Sequence, residues 1–389
     1  MAGMNKTIKI LKQSGYLIIA LFLRLFPKKR NRWVFGAWFG TSFSDNSKYL
    51  YLKVIKDYKD IEAVWITKDK DEIKYINSHG GKALLYGSFT ADYYAATADV
   101  VFMTHNYVDL SPMYLIKKAY KVQLWHGVAF KKIGRDAIKN NDQNIFQSLK
   151  SKIINVWEDC DLYIAPSDEY SNKVKSAFNT TDDKILKVGQ PRNDIFFNEN
   201  TARHKFPDKK IITYMPTFRD NKDFSFDFSK LNDSQEEALN SLLNKYNAVI
   251  IQKKHFVNAS YSKFKNSTEE NVINLNKVDT QELLHSSDIL ITDYSSCYFD
   301  FLLLDRPIIH FVYDYKYYSE KDRGVYYDIK DVCGGKICFD FGSLLKSMEA
   351  YLKDPSLDSD QRSKVRRQFV TYDDGNSSDK IIKYILGRF

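Results

Sequence analysis

Short apolar runs recur along the chain, each cut off by polar or glycine residues, and segments of helical rhythm lie between them. The run at 289–292, ILIT, is the clearest, because it stops abruptly at Asp293, Ser295 and Ser296. An uninterrupted apolar run of this length reads as a strand buried on both faces, as in a parallel sheet. The next segment, 297–304, has helical spacing through Tyr298, Phe301, Leu302 and Asp305, and a helix there must finish before Arg306-Pro307. A second strand follows at 307–312. In an open parallel sheet, ligands bind beyond the carboxyl ends of the strands. A helix starting there offers unpaired backbone N–H groups to an anion. Ser295 and Ser296 can cap that helix and donate hydroxyls to an anion at the same time; the alternative is that they only cap it.

The same alternation runs through the chain. Strands are predicted at 33–40, 62–67, 82–87, 100–104, 121–125, 162–165 and 185–188, with helices over 46–58 and 89–98. The stretch 198–208 is polar, contains Pro207 and breaks the rhythm, which marks it as a linker. Beyond it, strands are predicted at 210–214, 248–252, 272–275, 289–292 and 308–311, with helices over 235–246, 342–352, 360–369 and 375–386. This α/β pattern predicts doubly wound parallel sheets, and 389 residues suit two domains. Two Rossmann-like domains facing a cleft, over 31–200 and 208–370, with a helical C-terminal tail over 371–389, describe the GT-B architecture.

Composition changes this picture in one place. Lys6, Lys9, Lys12, Arg24, Lys28, Lys29, Arg30 and Arg32 all fall within residues 1–34, which hold no Asp or Glu. Removing these eight from the 58 basic residues leaves 50 against 49 acidic ones, so the net charge of +9 belongs almost wholly to an N-terminal arm. A near-neutral body argues against a nucleic-acid partner. Within the arm, YLIIALFLRLF at 16–26 is shorter than the ~20 apolar residues a membrane span needs, and no small-residue cleavage site follows it. A short apolar segment bordered by cations predicts an amphipathic helix over 1–30 lying on an anionic membrane surface. The alternative is a helix packed on the body. The four cysteines, Cys160, Cys297, Cys333 and Cys338, show neither a disulfide framework nor zinc-ligand spacing, which suggests a reducing compartment.

Among seven histidines, His79, His204 and His310 read as structural or solvated. His126 follows the strand KVQLW, and His255 follows AVIIQ and Lys253-Lys254, at corresponding strand ends of the two domains. Each is either a hydrogen-bonded structural residue or a general base working near neutral pH. Arg192, Arg219, Lys253, Lys254 and Arg323 fall in loops where cations can neutralise a pyrophosphate. Asp182-Asp183 and Asp373-Asp374 read as solvated pairs. GxxxxGK[ST], HExxH and CxxC are absent, and no metal or cofactor is expected.

Five ordered motifs resemble one family. They are VQLWHGVAFKKIGRD at 122–136, GQPRND at 189–194, YMPTFRD at 214–220, ITDYSSCYFDF at 291–301, and RPIIHFVYDYKYY continuing to DRGVYYD at 306–328. Together they are similar to the CDP-glycerol glycerophosphotransferase family of teichoic acid primases and polymerases, over roughly residues 30–380. The resemblance implies a peripheral enzyme on the cytoplasmic face of the cell membrane. It would move glycerol phosphate, or a related polyol phosphate, from CDP-glycerol or another CDP-polyol to a hydroxyl of a lipid-linked (polyprenyl diphosphate) glycan, releasing CMP. By position, His126 resembles the catalytic base, with His255 as a second catalytic residue. Gly127, Val128, Ala129, Phe130, Arg192, Pro216, Thr217, Lys253, Lys254, Ser295, Ser296 and Asp300 resemble residues lining the donor site, and Arg219 and Arg323 join them as nearby cations. The family's Thr-Pro after WHG is Val128-Ala129 here, and the loop around His255 reads QKKHFV. Ribitol therefore stays open beside glycerol. A sugar-nucleotide glycosyltransferase and a non-catalytic binding protein are the other readings, because a fold alone does not fix chemistry.

Overall fold

Thirteen strands among the described residues make two sheets, and every pairing within them is parallel. The structure is a computed structural model. It describes residues 25–112, 115–137, 160–198, 208–217, 226–253, 271–275, 278–315 and 324–389, together with Ile19, Phe22 and Leu23. In the first domain, β1 (Arg32–Phe35), β2 (Glu62–Thr67), β3 (Ala83–Leu85), β4 (Val100–Met103), β5 (Tyr120–Gln123), β6 (Leu162–Ala165) and β7 (Ile185–Lys187) take the order 3-2-1-4-5-6-7. In the second, β8 (Lys210–Tyr214), β9 (Ala248–Gln252), β10 (Val272–Asn274), β11 (Ile289–Thr292), β12 (Ile308–Phe311) and β13 (Lys336–Cys338) take the order 10-9-8-11-12-13. The order reverses between β1 and β4, and again between β8 and β11, which is where a doubly wound sheet opens a crevice for a ligand.

The apolar runs become strands because helices cover both faces of each sheet, so both side-chain rows are buried. Helix α1 (Asp45–Asp57) buries Leu50, Tyr51 and Val54 on one stripe. These side chains join Trp33, Phe35 and Trp65 in a core that also contains Ile381, Ile382 and Ile385 of the last helix, Ser377–Leu386. The chain therefore finishes on the first domain. Another core runs through both domains and includes Val128, Phe130, Met215, Tyr294 and Phe301.

Most predicted ends lie within three residues of the observed ones, and three of the differences have a visible physical reason. β1 stops at Phe35: Gly36 packs so closely that a Cβ would lie 2.3 Å from the Asp109 carbonyl oxygen, and the chain then turns through left-handed φ at Trp38 and Phe39. β5 stops at Gln123, ahead of Trp125 at φ 52°. The helix after β11 is α-helical only over Cys297–Phe301 and tightens to 3-10 geometry over Leu302–Leu304. Helices Lys70–Ser78, Asp168–Phe178 and Thr280–Ser286 and strand β13 are additions. Lys70–Ser78 buries only Ile76, and β13 has three residues at a sheet edge, so neither carries a strong apolar pattern.

Residues 1–18 lie outside the described residues. Where the arm is described, Leu23 is fully buried, whereas Phe22 and Leu25 are 52% and 77% exposed. The Phe26 ring meets Tyr93 edge-on at 5.5 Å. Lys28 pairs with Asp99 and Lys29 with Glu62, both at 3.0 Å, and Arg32 pairs with Glu62 at 2.9 Å. No helix among the described residues is long and apolar enough to cross a membrane.

Candidate active site

His126 stands just past β5 in a loop that is tied down from several sides. The Asn46 amide, at the start of α1, donates to the carbonyls of Leu124 and Trp125 at 3.1 and 3.0 Å. The Gln123 side-chain oxygen accepts from the Trp125 N–H at 3.0 Å. Nδ1 of His126 lies 3.0 Å from the Thr104 carbonyl oxygen. A carbonyl can only accept, so Nδ1 carries the hydrogen and Nε2 is the basic nitrogen. Burial lowers the pKa of His126, with the Asp45 charge opposing it. The neutral, proton-accepting imidazole is therefore the form present near pH 7.

Gly127 follows at φ 129°, and a Cβ there would lie 2.6 Å from Arg192 Nη2 and 3.2 Å from Ser296 Oγ. This close approach brings the histidine loop, the GQPRND turn and the turn after β11 into contact. Arg192 Nη1 donates to Asp45 Oδ1 at 2.8 Å and to the His126 carbonyl at 2.9 Å, and Nη2 reaches Asp300 Oδ2 at 2.6 Å. Asp300 also accepts from Gln190 and Asn193 at 3.2 Å and from Gln281 at 3.4 Å. Burial raises the Asp300 pKa and Arg192 works against it. Every group touching its oxygens donates, and a carboxylate satisfies all of them, so the pair is held charged. For Arg192, Asp300 and Asp45 more than offset the effect of burial.

In the second domain, Asp293 Oδ1 accepts from the Thr217 N–H at 2.8 Å, the Thr217 hydroxyl at 2.6 Å and the Tyr294 N–H at 2.6 Å. That carboxylate ties YMPT to TDYSS and carries Pro216, half-buried, with it. Ser296 precedes the Cys297–Phe301 helix in right-handed helical conformation, φ −63° and ψ −12°, and its side chain makes no cap hydrogen bond. Of the two roles the sequence allowed the serines, Ser296 does not fill the capping one. Lys253 directly follows β9; its Nζ donates to the Val278 carbonyl at 2.6 Å, and burial lowers its pKa. Arg219, Lys254, His255 and Arg323 lie outside the described residues.

The side chains of Val128, Ala129 and Phe130 are buried. Past them the loop crosses to the second domain. Tyr326 N–H donates to the Phe130 carbonyl at 2.9 Å, Lys132 N–H donates to Gly324 at 3.1 Å, and Lys131 pairs with Val325 in an antiparallel bridge. Residues 130–132 and 324–326 are thus two sides of one short ribbon. Farther out, Asp279 takes Lys48 at 2.6 Å and Tyr49 at 2.7 Å from α1.

One sequence expectation fails here. Asp373 is not solvated: it is buried, and Oδ1 accepts from the Gln190 N–H at 2.9 Å and from Asn193 at 3.2 Å. The chain passes this point on its way back to the first domain, so close that a Cβ on Gly189 would lie 2.6 Å from the Asp373 Cα. Burial, with the Asp300 charge added, pushes the Asp373 carboxyl up to about 8. Its neighbour Asp374 is exposed, as are Asp182 and Asp183. His310 is structural, with Nδ1 at 3.2 Å from the Asp293 carbonyl and Nε2 accepting from Gly334 N–H at 3.1 Å. Sequence reasoning missed Asp45, Asn46, Gln190 and His105. Of these, His105 carried a signal, since it follows β4 just as His126 follows β5. The four cysteines are free, and no described group of three or more His, Cys, Asp or Glu is arranged to hold a metal ion.

Known proteins similar in sequence to this chain point to one family. Residues 17–387 match the family described as CDP-Glycerol:Poly(glycerophosphate) glycerophosphotransferase. A teichoic acid poly(glycerol phosphate) polymerase of Bacillus spizizenii is 28% identical, with 96% of each chain covered. A teichoic acid glycerol-phosphate primase of Bacillus subtilis is 32% identical over 73% of each chain. The solved structure of the wall teichoic acid polymerase TagF superposes with a TM-score of 0.81 at 25% identity, covering 99% of this chain and 98% of that one. The chain belongs to the CDP-glycerol:poly(glycerophosphate) glycerophosphotransferase family.

Proposed function

We propose that this enzyme transfers glycerol phosphate from CDP-glycerol to a hydroxyl of a lipid-linked glycan at the cytoplasmic membrane face, with His126 as general base. The observation that carries the reading is the His126–Thr104 hydrogen bond, which leaves the basic lone pair on Nε2 beside the topological crevice. The acceptor oxygen attacks the β-phosphorus of the donor in line. Its proton passes to Nε2, the bond from the β-phosphorus to the bridging oxygen breaks, and CMP leaves with that oxygen and its electron pair. Charge shifts onto the bridging and non-bridging oxygens as this happens, and fixed cations and N–H groups stabilise it without reorganising. Lys253, Lys254, Arg219, Arg323, the hydroxyls of Ser295 and Ser296 and the N–H groups that follow them are the groups assigned to that work. His255 is assigned as the second catalytic histidine. Arg192 and Asp300 serve the donor site from beneath, through the His126 carbonyl and the close packing at Gly127.

The test combines CDP-glycerol, CDP-ribitol and UDP-sugars with a synthetic lipid-linked disaccharide, and reads CMP release and product mass. CDP-glycerol should yield CMP and a glycerol-phosphate adduct. Turnover with CDP-ribitol instead would reassign the polyol, and turnover with UDP-sugars alone would sink the phosphotransfer reading. His126→Ala should lose 10²–10⁴-fold in kcat while still binding CDP-glycerol. A variant retaining more than about a tenth of wild-type turnover would remove the base role. In a Ser295→Ala, Ser296→Ala double variant, donor affinity should fall more than acceptor affinity. Unchanged donor affinity would remove the serines from the phosphate site.

A further inference from the structure

We propose that His105 is a positioning residue for His126: together with Trp38 and Trp125 it forms an aromatic cage that fixes the imidazole and stabilises the imidazolium formed during transfer. The inference rests on the reading of His126 as the base and extends it to groups that would touch neither donor nor acceptor.

The His105 and His126 rings are stacked, 4.3 Å between centroids and 13° between planes. Trp125 stacks on His126 at 4.4 Å and 24°, and Trp38 closes a third side at 5.2 Å and 45°. Trp38 also packs against His105 at 4.7 Å, and Phe39 packs against it at 4.5 Å. Trp38, Phe39 and Trp125 have φ of 49°, 57° and 52°, a backbone region that bulky L residues seldom enter. Strained residues of this kind persist where the surroundings over-determine them, and they cluster at functional sites.

The supports are buried polar groups. Asp109 accepts from the N–H groups of Phe39 at 2.7 Å and of Thr104 and His105 at 2.8 Å. Gln123 holds two walls at once: its amide donates to the His105 carbonyl at 2.8 Å, and its oxygen accepts from Trp125 N–H at 3.0 Å. Asp45 accepts from the Trp38 indole N–H at 3.2 Å.

The charged and titratable groups around the pair are Asp45 on α1, Asp109 after β4, and Arg192 beyond β7. Burial pushes the His105 pKa down to about 2, so its ring stays neutral whenever His126 works. A neutral aromatic face attracts a neighbouring cation, whereas a second imidazolium would repel it. Burial alone would make His126 a poorer base, and the cage acts in the opposite sense.

The experiment measures kcat, the KM for CDP-glycerol and the pH profile of kcat/KM in the full-length protein. His105→Ala should lower kcat at least tenfold at unchanged KM. It should also move the acid limb down by on the order of half a pH unit, because a cation that has lost an aromatic face holds its proton less well. His105→Phe, which restores a flat neutral face, should recover most of the lost turnover. Trp38→Leu removes another wall and should reproduce the kcat loss and the downward shift, which covers the case where His105→Ala does not fold. An acid limb that stays put or moves up in a folded variant overturns the cage. So does a His105→Phe protein as inactive as His105→Ala, since His105 would then be acting through its nitrogens. His126→Ala is run in parallel. If it keeps turnover, the base reading fails and the cage falls with it. If it is inactive while His105→Ala behaves as wild type, only the cage fails.

Discussion

Arg192 Nη2 of the first domain and Asp300 Oδ2 of the second lie 2.6 Å apart, both nearly excluded from solvent. Removing one partner of a buried pair strands the other charge. Asp300→Ala should therefore destabilise the protein by about 3–5 kcal/mol. Asp300→Asn, which keeps one acceptor oxygen, should destabilise it less. Thermal unfolding of the two variants checks this. If Asp300→Ala melts like wild type and only CDP-glycerol binding suffers, Asp300 is a ligand group rather than an inter-domain tie.

Gly127 has no room for a side chain. A methyl group would meet the Arg192 guanidinium at 2.6 Å, at a φ of 129° that favours glycine. Gly127→Ala should still fold, because the loop can shift, but the shift displaces His126 from the Thr104 carbonyl. The expected outcome is a kcat loss on the order of 10²-fold. Wild-type turnover in Gly127→Ala would show that the close approach is not needed.

Stability should depend on pH through Asp373. Its folded pKa is pushed up to about 8, above the ordinary carboxyl value, so the folded state binds the proton more tightly than the unfolded chain does. The resulting stabilisation is complete below the unfolded pKa and is lost as pH rises through about 8. Unfolding midpoints should fall between pH 6 and pH 9 by more in wild type than in Asp373→Asn, whose neutral amide stands in for the protonated acid. Parallel pH curves for the two proteins would show that Asp373 does not titrate in this range.

The arm should bind anionic vesicles through the residues that do not dock on the body. Phe22 and Leu25 are exposed, whereas Leu23 is buried and Lys28, Lys29 and Arg32 are paired with body carboxylates. Removing residues 1–20 and replacing Phe22 and Leu25 by serine should abolish most flotation with anionic liposomes without lowering the melting temperature, and high salt should weaken flotation of the full chain in part. Equal flotation of full-length and truncated protein would put the membrane contact elsewhere.

The central strands were legible because both of their faces are buried and they are therefore mostly apolar; 62–67, 162–165, 210–214, 248–252, 289–292 and 308–311 match to the residue. The ends of β1 and β5 were not legible, because left-handed φ at Trp38 and Trp125 is imposed by tertiary contacts that local preference does not encode. His126 could be read from its place after an apolar strand. Asp373 could not, because an acidic pair in a polar segment looks solvated until the chain's return path buries one member. His105 satisfies the same strand-end rule, but only the stack against His126, which the sequence does not show, sets it apart from a structural histidine.

The last helix has a bearing on how the protein is made. Ile381, Ile382 and Ile385 fill the core built on Trp33, Leu50 and Trp65, and Asp194 receives the N–H groups of Ser377 and Ser378 at 2.8 Å. Domains generally assemble in the order they leave the ribosome. Here the domain that emerges first lacks part of its interior until residues 377–386 have left the ribosome. A nascent chain stalled before residue 377 carries an open apolar seam, and the second domain has to form beside it.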